Sequence, residues 1–351
     1  MINNKKISIT SNGMEIIKDY DLKDLNTFGV HARAKYFVTL EREEDLPELF
    51  NLSEFKNNQK LFLGGGSNIL FTKDFDGIVI LNKLKGIEVV SEDTESVFIK
   101  CMGGEIWDDL VQFTVERGLW GIENLALVPG TAGAAPMQNI GAYGVELKNT
   151  LEDIEAYDIE SGEKKVFKNA ECEFGYRDSI FKSKVKGKYF ITAITIKLSK
   201  ISKPNISYKI LENYLKENNI EVKSSKDVSI AVSAIRRSKL PYNTKVLGNA
   251  GSFFKNVYVS RQKLAELLST YPDLSFFEEG EKIKINSGWL VEKCGWKGKK
   301  VGNVGVHEKQ ALVLINYGGA TGEEIINFAN QIIDSVKEKF NLQIVPEVNI
   351  I

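Results

Sequence analysis

Cysteine and histidine are scarce in this chain of 351 residues: three of the first, two of the second. Cys101, Cys172 and Cys294 stand far apart, odd in number and without Cys-x-x-Cys spacing, which excludes a disulfide framework and a zinc knuckle and fits a reducing cytoplasm. With only His31 and His307, a histidine metal site or a Ser-His-Asp triad has almost no material, and neither histidine lies in a segment of that kind. Both read as structural or surface residues. Charge of one sign is lacking too: 46 Lys and Arg against 47 Asp and Glu give a net charge of −1. Nucleic-acid binding through bulk charge is therefore not expected, and any anion is met by local clusters. No run approaches the roughly 20 apolar residues of a membrane span, and Met1 to Ser11 has no apolar core of a secretion signal, so a cytoplasmic location is expected.

What is present is an ordinary enzyme-like composition, 43% hydrophobic and 26% charged, over a length that suits two or three domains. Apolar strand patterns occur at Gly77–Leu81, Ile87–Val90, Val97–Cys101, Leu151–Tyr157 and Tyr189–Leu198. Helical periodicity marks Trp107–Arg117, Ile210–Asn218, Val228–Ser238, Arg261–Thr270 and Thr321–Phe340, and a terminal strand is expected over Leu342–Ile351. Ser202 to Asn205, with Pro204, reads as a domain joint. The pattern predicts an α+β protein.

Two segments carry unusual amounts of small residues. Gly64-Gly65-Gly66-Ser67-Asn68 follows the apolar Leu61-Phe62-Leu63. Successive glycines let backbone N–H groups turn toward an anion, and Ser67 and Asn68 add side-chain hydrogen bonds. The spacing matches neither Gly-x-Gly-x-x-Gly nor a P-loop; a plain tight turn is the competing reading. The second segment runs from Pro129-Gly130-Thr131 through Gly133-Ala134-Ala135 to Gln138-Asn139-Ile140-Gly141-Ala142-Tyr143-Gly144. So many small residues suit a flat ligand laid against backbone. One loop for a diphosphate and one for a planar ring point to a dinucleotide such as FAD.

Three further motifs complete the pattern: Gly175-Tyr176-Arg177-Asp178-Ser179, Gly251-Ser252-Phe253-Phe254-Lys255-Asn256 and Pro346-Glu347-Val348. They offer a fixed cation, a hydroxyl proton donor and a carboxylate. With Asn26-Thr27-Phe28-Gly29 and Ala311–Asn316, these segments, in this order, resemble the UDP-N-acetylenolpyruvoylglucosamine reductases from about residue 20 to the end. The resemblance implies an FAD-binding fold of the vanillyl-alcohol oxidase / PCMH type followed by a MurB-type α+β substrate-binding domain. The implied FAD region covers 20–200, in subdomains of about 20–85 and 86–200. A connecting segment with a lid loop follows at 201–240, then the substrate domain at 241–340, and 341–351 returns to the active site.

The family passes electrons from NADPH, as co-substrate, through non-covalent FAD to the enolpyruvyl ether, giving UDP-N-acetylmuramate. A hydride from flavin N5 attacks the vinyl methylene carbon, and the charge spreads into the adjacent carboxylate as an enediolate. By resemblance Arg177 and Glu347 stabilise that enediolate and Ser252 delivers the proton. Burial of Glu347 among Ile344, Val345, Val348 and Ile350 would raise its pKa. Flavin contacts are implied for Gly64 to Asn68, Pro129, Gly130, Thr131, Gly133, Ala134, Ala135, Gln138, Asn139, Gly141, Ala142, Tyr176 and Arg236. Substrate contacts are implied for Lys239, Lys255, Asn256 and Glu292, with Tyr208 as the lid tyrosine of the longer subtype. Whether Arg236 or Arg237 faces the flavin stays open, as does Tyr176 between core ring and flavin neighbour. Trp289 and Trp296 read as core or interface. A monomer is expected.

A flavin oxidase of the same fold would carry a tethering His or Cys, and none lies between Gly64 and Asn68. A decayed, purely binding relative is disfavoured by the presence of Arg177, Ser252 and Glu347 together.

Overall fold

The computed structural model describes residues 5–9, 13–241 and 243–351; part of the polar stretch Met1 to Ser11 therefore lies outside the described residues. Contacts divide the chain into two units. The first comprises Met1–Tyr20, Ala34–Gly65 and Phe75–Ser238; the second Asp21–Arg33, Gly66–Asp74 and Lys239–Ile351.

The first unit contains two five-stranded sheets. In one, Phe75–Asn82 lies between Arg33–Leu40 and Gln59–Leu63 and runs parallel to both. Its sequence Ile78-Val79-Ile80-Leu81 is buried without alternation, as a parallel strand covered on both faces requires. The other sheet is antiparallel, ordered Lys164–Lys168, Leu151–Asp158, Tyr189–Ser199, Ser96–Met102, Ile87–Glu92. Ser96–Met102 alternates, burying Val97, Ile99 and Cys101, and the helix Trp107–Val115 packs Trp107, Leu110 and Val111 into the same core.

The helices Lys209–Glu217 and Ser225–Lys239 belong to this unit. Leu211, Leu215, Val228, Ala231, Val232 and Ile235 complete its core, so the contact boundary falls at Ser238/Lys239 rather than at the expected joint 202–205. Apolar faces of two amphipathic helices outweigh the local polarity around Pro204.

The second unit has a three-stranded antiparallel sheet (Val257–Val259, Lys282–Ile285, Phe276–Glu279) and a second of Lys300–Val301, Val304–Val306 and Leu314–Asn316. Arg261–Thr270 starts at Ser260, whose side chain accepts from Lys263 N–H at 3.1 Å. Gly322–Phe340 opens with a capping box of Thr321 and Glu324 and buries Ile325, Phe328, Ala329, Ile332, Val336 and Phe340. The expected terminal strand shrinks to Asn349–Ile350, parallel to Ile69–Leu70. Pro346 lacks an N–H and cannot continue a regular ladder, so 345–347 is held by separate backbone bonds. The three cysteines are free thiols; burial pushes Cys172 up to about 12.

Candidate functional site

In the first unit the strand Gln59–Leu63 delivers Gly64 and Gly65 against the backbone of 130–134. A Cβ on Gly64 would lie 2.4 Å from Thr131 Oγ1 and 3.2 Å from Ala134 Cβ; one on Gly65 would lie 3.0 Å from Gly130 Cα. Both positions therefore need glycine for close approach rather than for φ. The facing backbone is pinned from beneath, by Trp107 N–H to Gly130 O at 3.1 Å, Ala132 N–H to Glu105 O at 2.8 Å and Gly133 N–H to Gly103 O at 2.9 Å. Beside it opens a cleft lined by Phe62, Leu63, Met137, Phe181 and Phe190 together with Gly64, Thr131, Gly133 and Ala134.

The Thr131 hydroxyl is buried and has no hydrogen-bond partner among the described residues. A side-chain-free cradle, apolar walls and an unsatisfied hydroxyl are what a planar ring with a phosphate tail requires, so these residues fit a flavin dinucleotide. Met137, Phe181 and Phe190 were not legible as wall residues, since apolar residues in strands and turns read as core.

Further along, Asn139 is fully buried and left-handed at φ 44°. Its amide donates to Glu146 Oε2 at 2.9 Å and Gly175 O at 3.0 Å and accepts from Lys148 N–H at 3.1 Å. The side chain is spent inside the fold, tying the small-residue loop to the Gly175 turn, and its backbone N–H bonds back to Ala135 O and Pro136 O. That turn holds Arg177 at φ 53°, a conformation that non-glycine residues rarely adopt. Arg177 Nη2 donates to Gly141 O at 2.7 Å, and its guanidinium carbon lies 5.5 Å from the Tyr176 ring centre. A Cβ on Gly141 would stand 3.0 Å from Arg177 Nη1. The arginine therefore lies directly on Gly141.

Tyr143 and Tyr208 meet edge to face with ring centres 5.6 Å apart. Burial raises the pKa of Tyr208, opposed by the charge of Arg177. Structure thus gathers Gly141, Arg177, Tyr143 and Tyr208 in one unit. Tyr176 is half-buried, as is Arg236, whereas Arg237 is exposed.

In the second unit Gly251, at φ 69°, turns the chain so that Ser252 is exposed while Phe253 and Phe254 enter the core. Asn249 fixes that turn, its Oδ1 accepting from Gly251 N–H at 3.0 Å; it was not legible beforehand. Ser252 bridges Val313, and the Phe253 carbonyl accepts from Glu347 N–H at 2.7 Å. Lys255 N–H reaches Val345 O at 2.9 Å. Ser252, Lys255 and Glu347 are thereby brought together by backbone pairing alone.

Glu347 is half-buried. Ile344 and Val348 are buried, but Val345 is 46% and Ile350 38% exposed, so the expected apolar enclosure covers Glu347 only in part. Asn256 Oδ1 accepts from Ser287 N–H at 3.0 Å, and Ser287 Oγ donates to Lys255 O at 2.7 Å. Gly66 packs with its Cβ position 1.9 Å from Leu25 O, and Asn68 O accepts from Asn349 N–H at 3.1 Å. Ser67 is half-buried, as is Lys239 at the helix end. Glu292 is exposed and paired with Lys297 at 3.0 Å.

Trp296 is buried, its Nε1–H donating to Ser335 Oγ, and Trp289 packs on Tyr271 and Phe340. His31 is exposed, 2.7 Å from Asp21. Among the described residues there is no cluster of three metal-ligating side chains and no helix long and apolar enough to cross a membrane.

Residues 34–165 match the family described as FAD binding domain, and 241–351 the family described as UDP-N-acetylenolpyruvoylglucosamine reductase, C-terminal domain. The cradle and these matches define a flavin-dependent oxidoreductase. The chain belongs to the UDP-N-acetylenolpyruvoylglucosamine reductase family. It is 47% identical over 340 residues to the reductase of Flavobacterium johnsoniae, covering 96% of this chain and 100% of that one. The reductase of Bdellovibrio bacteriovorus is 44% identical over 95% of this chain and 99% of its own. The structure of the Thermus caldophilus reductase superposes with a TM-score of 0.65 at 21% identity, over 96% and 98% of the two chains, a likeness of fold.

Proposed function

We propose that this chain reduces UDP-N-acetylglucosamine enolpyruvate to UDP-N-acetylmuramate, a peptidoglycan precursor, with NADPH as the source of electrons. The observation that carries the reading is the 47% identity to a reductase along its whole length. Bound FAD supplies the hydride from N5. The remaining work falls to the protein. Hydride arrival at the vinyl methylene carbon leaves negative charge on the neighbouring carbon and its carboxylate. Arg177, fixed on Gly141 with its fork partly free of solvent, holds that carboxylate by charge-assisted hydrogen bonds. Glu347 shares a proton with the same enediolate, since an ionised carboxylate there would repel it. Ser252 gives its hydroxyl proton to the carbanion carbon, with Lys255 lowering the cost of the transient alkoxide. Lys239 and Asn256 hold the diphosphate and Tyr208 covers it; Glu292, tied to Lys297, is a contact of the sugar-nucleotide end.

The test is an anaerobic visible spectrum of wild type and Ser252→Ala. Wild type bleaches with NADPH and recovers its colour when the enolpyruvyl sugar is added. Ser252→Ala bleaches normally and recovers far more slowly. Recovery only on admitting air would make the protein an oxidase and withdraw the roles of Ser252 and Glu347.

A further inference from the structure

Asn124 sits in the short helical turn Glu123–Leu125 and is fully buried. Its side chain belongs to neither the flavin cradle nor the carboxylate-binding arginine. Its amide nitrogen donates to Tyr143 O at 2.9 Å and to Asn205 O at 2.8 Å, and its Oδ1 is buried with no partner among the described residues. A buried amide that spends both hydrogens on two backbone carbonyls from distant segments is a clasp; the unsatisfied oxygen is what that geometry costs.

The two segments it joins are the small-residue loop ending at Gly144 and the stretch leading into Tyr208. They are tied a second time, by Asn205 Nδ2 to Gly144 O at 3.2 Å. Ser207 Oγ donates to Asn205 Oδ1 at 3.3 Å, which carries the restraint on to the residue before Tyr208. Tyr143 is left-handed at φ 47° and Gly144 at φ 84°, and their close neighbours are the Tyr208 ring and Cβ. Asn124 therefore holds the backbone of Tyr143 directly and that of Asn205, three residues before Tyr208, so both sides of the Tyr143–Tyr208 ring pair are tied to it.

We infer that Asn124 is a positioning residue that fastens the loop carrying Tyr208 to the Gly144 turn, and so sets affinity for the nucleotide-sugar ligand without entering the chemistry. This rests on the reductase reading above. Segment 205–208 is tied by hydrogen bonds at Asn205; beyond that point Ile206 and Tyr208 pack against the core of this unit, and Tyr208 leads into the helix Lys209–Glu217. Without the clasp the loop keeps only the Asn205–Gly144 tie and its apolar packing, and the energy of ordering it is charged to ligand binding.

The test is Asn124→Ala, carried out on the flavin-loaded protein. Removing the donor should raise KM for the enolpyruvyl sugar and weaken calorimetric binding of UDP-N-acetylmuramate by roughly tenfold, the scale of one or two net hydrogen bonds. Flavin content and the rate of NADPH bleaching should stay as in wild type. Trypsin reads the loop directly: Lys203 precedes Pro204 and resists cleavage, whereas Lys209–Ile210 is a good site and should be cut faster in the variant.

Unchanged KM and unchanged cleavage would overturn the proposal, as would loss of flavin and bleaching together, which marks a general structural role. Should Asn124→Ala fail to fold, Asn205→Ala removes the second tie and leaves Asn124 its carbonyl partners; the same KM and cleavage shifts are then expected, and their absence overturns the clasp. A wild type that bleaches but never reduces the sugar defeats the reductase reading, while the cleavage result still decides whether Asn124 holds the loop.

Discussion

Replacing Gly141 by alanine tests the placement of Arg177 directly. The new Cβ would stand 2.9 Å from Glu146 Cγ, 3.0 Å from Arg177 Nη1 and 3.1 Å from Val145 O. Glu146 Cγ and the guanidinium end belong to side chains that can move; the Val145 carbonyl is backbone and yields a few tenths of an ångström. The fold should survive at a cost of about 1–3 kcal/mol, the range for overpacking. Arg177 gives way instead, and its 2.7 Å bond to Gly141 O is lost. A hydrogen bond from a charged donor is worth roughly 1.5–3 kcal/mol, so kcat/KM for the enolpyruvyl sugar should fall by roughly 10- to 100-fold. Stopped-flow measurement of the two half-reactions tests this. NADPH bleaching should keep its wild-type rate, and reoxidation by the sugar should slow. Equal slowing of both would mean that the substitution damages the flavin site. An unchanged second half-reaction would refute the argument that Gly141 seats Arg177.

Gly64→Ala places a Cβ 2.4 Å from the Thr131 hydroxyl and should push that residue into the cleft; purified protein should hold little flavin, read as the ratio of visible to protein absorbance, with the melting temperature of its flavin-free form close to that of flavin-free wild type. Full flavin content would show that the cradle is not where the cofactor lies. Glu123 is buried, and burial raises its pKa above the usual carboxylate range, opposed by the N–H groups of Gly121 and of Glu123 itself. The folded state therefore holds more protons than the unfolded one between the unfolded and the raised pKa, and its contribution to stability falls as pH rises through that window. Glu123→Gln cannot ionise, so its melting temperature relative to wild type should climb as pH rises above the ordinary carboxylate range; a constant difference would show that Glu123 does not titrate as described.

Local signals were legible where one interaction decides the structure. The helix Arg261–Thr270 follows from its periodicity, and Thr321 with Glu324 announces the start of Gly322–Phe340. The density of glycine and alanine from Gly64 and from Pro129 onward read as two ligand-facing loops; that the two loops approach each other, Gly64 against Thr131 and Gly65 against Gly130, was not legible. Long-range choices were not legible. Nothing local says that Asp21–Arg33 and Gly66–Asp74 pack with the C-terminal third, because contact between distant segments is set by complementary faces that only the folded chain reveals. Pro346 did speak against a continuous terminal strand, but its missing donor was outweighed by the apolar run around it.

Asn124, Asn139 and Asn249 were invisible for a different reason. In sequence an asparagine reads as a turn or surface residue, whereas here each is buried; Asn124 and Asn139 spend their amides on the backbone of distant segments, and Asn249 on that of its own stretch. The same region concentrates strain. Of eight non-glycine residues with left-handed φ among the described residues, five (Leu127, Asn139, Tyr143, Glu173 and Arg177) fall between positions 127 and 177. Such conformations cost about 1–3 kcal/mol each and persist only where the surroundings over-determine them. Asn139 grips the Gly175 turn that bends Arg177, and Asn124 grips the carbonyl of Tyr143. The buried amides thus hold in place the strained residues that the proposed chemistry uses. A substitution that relaxes the strain should therefore leave the fold more stable and the arginine worse aimed.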